Sequence, residues 1–206
     1  MWSWLAIALS SLLSIFASVN NNRSWSIVFG SFTHILLMVL VVGQMGSWSA
    51  KIYWLVAGLG LFLIVDAAGY MKLSHKMCFL GYIVAQVFYS KFFWLQIQSD
   101  VVLWLPALLV GIAVVTFFLL LPRLDSLVLP VTVMGCALLL LVCSAGEVWL
   151  TTHSQSDFLG FLGALIMAVS ALLFAVEKYK RPRSGARYLI SGSYFLSHAL
   201  IVASVL

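Results

Sequence analysis

KIYWLVAGLGLFLIVDAAGYM, residues 51–71, is an apolar run of membrane length that contains one carboxylate, Asp66, several residues short of its end. A helix rises about 1.5 Å per residue, so about 20 apolar residues cross the hydrocarbon core of a bilayer. An ionised Asp in such a span costs about 3 kcal/mol or more unless it faces protein, water or a partner, which makes Asp66 the first functional candidate. The competing reading is that Asp66, close to the helix end, reaches the headgroup layer or ties its helix to a neighbour.

Outward from this run the texture does not change. Hydrophobic residues make up 64% of the 206 residues and charged ones 8%, too few to cover the surface of a soluble domain. The expectation is an all-α, polytopic membrane bundle forming a single integral-membrane domain over residues 1–206. Apolar runs fall at about 2–19, 26–46, 50–71, 77–98, 102–121, 126–150, 157–177 and 187–206, which predicts eight transmembrane helices. The first run is not read as a cleavable signal peptide, because MWSWLAIALS has no basic start and the Asn20 to Asn22 loop leads straight into another span. The connections leave no room for an extramembrane domain, so any chemistry must use the spans and their rims.

The net charge of +5 does not point to nucleic acid, because the basic residues sit in short loops where they orient helices and touch anionic lipid. With eight spans threaded, Arg23, Lys72, Lys76, Arg123, Lys178, Lys180, Arg181, Arg183 and Arg187 fall on one side and Lys51 on the other. That asymmetry places both termini outside the cytoplasm, the expected location being a bacterial inner membrane. The loop KYKRPRSGAR, 178–187, reads first as an orientation and lipid-contact segment, with recognition of a substrate phosphate as the sharper alternative.

GYIVAQVFYS, 81–90, lies on GSYFLSHALI, 192–201, so that Tyr82 meets Tyr194 and Gln86 meets His198, each pair on one helix face. VAGLGLFLIVD and FLGALIMAVSA begin the third and seventh spans comparably. A period of four helices keeps membrane orientation, so this is the pattern of two parallel four-helix halves, although aromatic and glycine-rich spans can imitate it. Asp66, His34, Tyr82, Gln86, Tyr194 and His198 are placed to line one polar pocket open toward the cytoplasmic leaflet. Glu147, toward the outer end of the sixth span, is either a rim group or a second polar site.

His34 and His198 fit interhelical hydrogen bonding as well as acid/base work, and the tyrosines fit aromatic packing with a polar tip. Cys78, Cys136 and Cys143 show no metal or redox spacing, and there is no Walker, GxSxG or HExxH motif. No metal and no cofactor is expected; membrane lipids or lysophospholipids are the expected partners, and protein partners are unspecified.

The AGLGLFLIVD, GYIVAQVFY, SAGEVW, FLGALIMAVS and SYFLSHALIV runs together resemble the YhhN family of membrane proteins, whose animal relatives include lysoplasmalogenase. The resemblance implies hydrolysis of the vinyl-ether bond of a lysoplasmalogen, which needs one positioned acid and one base. It carries a catalytic role to Asp66, which matches the family carboxylate of the third span. The partner carboxylate of the seventh span falls on Ala171, which cannot move a proton, and Glu177 lies on a different face. A Lys-Pro at the start of the second span corresponds to Gly30 and Ser31, while Glu147 and His198 resemble polar positions of bacterial relatives. The alternative function is a noncatalytic lipid-binding protein or a small-molecule transporter on the same scaffold.

Overall fold

The computed structural model describes residues 2–44, 49–71, 75–97, 102–120, 128–179 and 185–206. Eight helices follow one another among them: α1 Trp2–Val19, α2 Arg23–Gln44, α3 Ala50–Tyr70, α4 His75–Trp94, α5 Trp104–Leu120, α6 Val128–Thr152, α7 Gln155–Tyr179 and α8 Ala186–Ala203. The chain is an all-α polytopic membrane bundle with several long apolar helices. Six of them, α1 to α4, α6 and α7, are long and apolar enough to cross a membrane. Helix α5 is shorter, and Ser191, Ser193, Tyr194, Ser197 and His198 make α8 more polar.

Each apolar run of the sequence contains one helix, with ends moved by a few residues. Helix α2 begins at Arg23, a turn element earlier than hydropathy marks, because Asn21 takes a left-handed φ of 56° that Asn tolerates and the Ser26 amide donates to the Asn22 carbonyl at 3.1 Å. Pro106 and Pro130 both stand in the first turn of their helices, where a missing N–H costs nothing. Lys72, Arg123, Lys180, Arg181 and Arg183, on which much of the charge asymmetry rests, lie outside the described residues.

Neighbouring helices pack in the order α1, α2, α3, α4, α6, α7, α8 and back to α1, with α5 set against α6. Leu5, Leu9, Leu12 and Phe16 mark the outward face of α1, and Leu108, Ile112, Val115 and Phe118 that of α5. In hydrocarbon such faces are covered by lipid tails, so exposure of large apolar side chains carries no penalty here. Inside the ring lie Leu37, Leu55, Leu59, Phe62, Tyr89, Leu141 and Ile201, all fully buried. Polar glue joins α1 to α2: Ser10 and Thr33 hydroxyls pair at 2.8 Å, and Ser14 and Ser26 each donate to the other's carbonyl, at 3.1 and 3.3 Å.

Candidate functional site

Asp66 sits one turn after Phe62 on the inward face of α3, and three other helices bring polar groups to it. The Tyr82 hydroxyl from α4 donates to Asp66 Oδ1 at 2.6 Å, and the Tyr194 hydroxyl from α8 donates to Oδ2 at 3.0 Å. His34 of α2 places Nε2 at 3.8 Å from the same Oδ2. The carboxylate is therefore held from both oxygens by the two tyrosines that the repeat pattern aligns. Its side chain keeps 17% of its surface exposed, whereas His34 is fully buried, so access to the pair is from the Asp66 side.

The His34 tautomer follows from geometry. Its Nδ1 lies 3.0 Å from the Gly30 carbonyl, which can only accept, so Nδ1 carries a proton. In the neutral ring, Nε2 is then a lone pair that has no hydrogen-bond partner among the described residues and faces a carboxylate oxygen. Two lone pairs facing each other in a low-dielectric interior repel, and a proton placed between them on either atom would turn that repulsion into a hydrogen bond. Such a pair can both give and take a proton.

Deeper along the same seam, His198 of α8 lies with its ring centroid 5.1 Å from that of His34, and the Tyr89 hydroxyl of α4 meets His198 Nδ1 at 2.8 Å. Phe62 is the hub of this interior: its ring touches those of Tyr82, Tyr89, Tyr194 and His198, with centroids 6.1, 5.2, 6.1 and 4.5 Å away. Among the described residues the buried His198 Nε2 has no hydrogen-bond partner. The aromatic rings close around the inner side of Asp66, and His34, His198 and Tyr89 follow one another beside them.

The structure thus brings together Asp66, His34, Tyr82, Tyr194 and His198. Gln86 shares the buried face of α4 but turns its amide to Met134 Sδ of α6, at 3.3 Å. Glu147 is buried near the far end of α6 and accepts the Val102 amide before α5, so it belongs to the opposite rim. Ala171 of α7 packs, partly buried, against the apolar core of the bundle, and Glu177 is half-buried near the end of that helix. The sequence reading left Tyr89 as aromatic packing with a polar tip and did not single out Phe62. The signal for them was spacing, since Phe62 is four residues before Asp66 and Tyr89 seven after Tyr82, each on the face of the residue already singled out.

Among the described residues no three His, Cys, Asp or Glu side chains gather as a metal site, and the cysteines are free thiols. Residues 25–205 match the model of the YhhN family. The curated relatives include proteins called "uncharacterized membrane protein YhhN" from Escherichia coli O6:H1, Escherichia coli O157:H7 and Shigella flexneri, each 26% identical over 206 residues, covering 100% of this chain and 99% of theirs. No solved structure matches the chain. With its model spanning nearly every helix that builds the Asp66 cluster, the chain belongs to the YhhN family.

Proposed function

We propose that the protein is a lysoplasmalogenase-like hydrolase of a bacterial inner membrane, with eight spans, both termini outside the cytoplasm and Asp66 as its catalytic carboxylate. The observation that carries this reading is the pairing of Asp66 with His34 Nε2 at 3.8 Å under two tyrosine hydrogen bonds. Vinyl-ether hydrolysis begins when an acid adds a proton to the second chain carbon, leaving an oxocarbenium centre on the first. Water then adds to that first carbon and gives up a proton to the base. The hemiacetal so formed collapses to a fatty aldehyde and a glycerophospho-base, and one water is consumed in total. An acid and a base that share one proton can perform both transfers, each assisted step being worth about 10²–10⁴-fold. In this reading His34 takes the place left vacant by Ala171, and Tyr82 and Tyr194 hold the carboxylate in position.

Duplication belongs to the same proposal. The contact pairs α1/α2, α2/α3, α3/α4 and α4/α6 have the counterparts α5/α6, α6/α7, α7/α8 and α8/α2 under a shift of four helices, which supports two parallel halves, whereas α1/α8 has no comparable α4/α5 counterpart among the described residues. The second reading, a lipid-binding protein or transporter, is favoured by Ala171 alone. The test is purified protein supplied with lysoplasmalogen and, separately, with the ester lysophospholipid, the products being identified by mass. The hydrolase reading expects aldehyde from the vinyl ether and no fatty acid from the ester. A folded parent that releases no aldehyde, while Ala171→Asp does, would assign the scaffold to the second reading.

A further inference from the structure

At the rim where α2 and α8 begin, Ser18, Asn21, Arg23, Ser26 and Arg187 line a hollow of about 270 Å³. Two guanidiniums from different helices face it. Arg187 Nη1 donates to Asn21 Oδ1 at 3.5 Å, and Asn21 is turned there by its left-handed backbone. Among the described residues neither arginine makes an ion pair. Two cations sharing one hollow repel each other, an arrangement that an anion reverses, and guanidinium geometry matches phosphate oxygens in pairs. The amide ends of α2 and α8 add positive potential at the same rim.

The hollow and the Asp66 cluster lie at two levels of one seam. Helices α2 and α8 start side by side through Asn21 and Arg187, and deeper they meet again through His34 and Tyr194, whose rings are 6.2 Å apart, so they run in the same direction. From Arg187 to Tyr194 is seven residues, about 10 Å along α8, and from Arg23 to His34 eleven residues, about 16 Å along α2. The hollow therefore stands on the same side of the bundle as the Asp66 cluster, above it along both helices.

We infer that Arg23 and Arg187 form a binding site for the phosphate of a single-chain phospholipid at the α2/α8 rim. That this phosphate belongs to the substrate cleaved at Asp66 rests on the hydrolase reading, whereas the binding does not. The site takes a phosphate borne by lipid or free in solution, and the two sources separate in the test.

The full-length protein in neutral detergent is titrated with lysophosphatidylethanolamine, with a monoacylglycerol of the same chain and with inorganic phosphate, and occupancy is read by native mass spectrometry. The phosphate-bearing lipid is expected to bind at least tenfold more tightly than the monoacylglycerol, with affinity falling as salt rises. The double variant Arg23→Gln/Arg187→Gln should remove that tenfold preference, Arg23→Lys/Arg187→Lys should retain part of it, and Lys51→Gln at the opposite rim should leave it whole. Displacement of the lipid by inorganic phosphate assigns the site to phosphate itself; loss in the double variant without such displacement assigns it to the lipid-borne group. Equal affinity for the two lipids, or a folded double variant that keeps the preference, overturns the inference. Asp66→Asn separates the two proposals: lipid preference without aldehyde release in the parent keeps the phosphate site and rejects the hydrolase, and preserved binding in Asp66→Asn with activity lost supports both.

Discussion

At Asp66 the magnitudes show why so many groups converge. A carboxylate in a span costs about 3 kcal/mol by insertion measurements, and more by simulation. Interhelical hydrogen bonds in membranes return about 0.6–2 kcal/mol each, so Tyr82 and Tyr194 together offset much of that cost. Tyr82→Phe and Tyr194→Phe are accordingly expected to lower stability by about 0.5–2 kcal/mol each, read from unfolding in detergent. In an Asp66→Asn background the Tyr194→Phe cost should shrink; an unchanged cost would mean that the hydroxyl works through another partner. His34→Gln keeps a donor toward the Gly30 carbonyl but cannot carry the shared proton. It should reduce aldehyde release by about 10²-fold or more with little change in stability.

Asp66, His34 and the two tyrosines were legible in the sequence because polar groups in apolar runs stand out and because helical spacing fixes which share a face. The pairing of Asp66 with His34 was not, since spacing along one helix says nothing about which helix lies opposite. Gln86 illustrates the same limit: its face on α4 was readable, but whether it turns toward α8 or toward Met134 of α6 is decided by packing.

Among the elements, close approach depends on glycines that leave room for a neighbour's backbone or ring. A Cβ on Gly163 of α7 would come within 2.9 Å of the Ser197 carbonyl and of Ile201 Cγ1 on α8, and neither the carbonyl nor the helix bearing it can give way cheaply. Gly163→Ala should therefore cost about 1–3 kcal/mol by overpacking, whereas Gly43→Ala and Gly69→Ala, which meet nothing within 4 Å among the described residues, should be neutral or slightly stabilising. Gly58→Ala tests the link from packing to site, because its Cβ would fall 2.6 Å from Tyr89 Cδ1 and push that ring away from His198. Differential scanning fluorimetry of the four variants ranks them directly, and a Gly163→Ala protein as stable as Gly69→Ala would refute the α7/α8 packing described. Hydropathy located these helices to within a few residues; the displacement of α5 to the outside of α6 was not legible, because an apolar helix reads alike whether lipid or protein covers it.

For the whole molecule, the hydrolase proposed above would draw on what the ring of helices brings together: a carboxylate facing a histidine, and aromatic walls around them. The eight-span arrangement expects residues 72–76 and 178–187 on the cytoplasmic side and the termini opposite. Single cysteines placed at 76, 187 and 206 of a cysteine-free chain, treated in intact cells with an impermeant thiol reagent, should label only at 206; labelling at 76 or 187 alone reverses the orientation. The single measurement closest to the central claim compares aldehyde release from lysoplasmalogen by the purified parent and by Asp66→Asn, with matched thermal stability as the check on folding. The account predicts release by the parent and a fall of about 10²-fold or more in the variant. Equal release by the two folded proteins would contradict it.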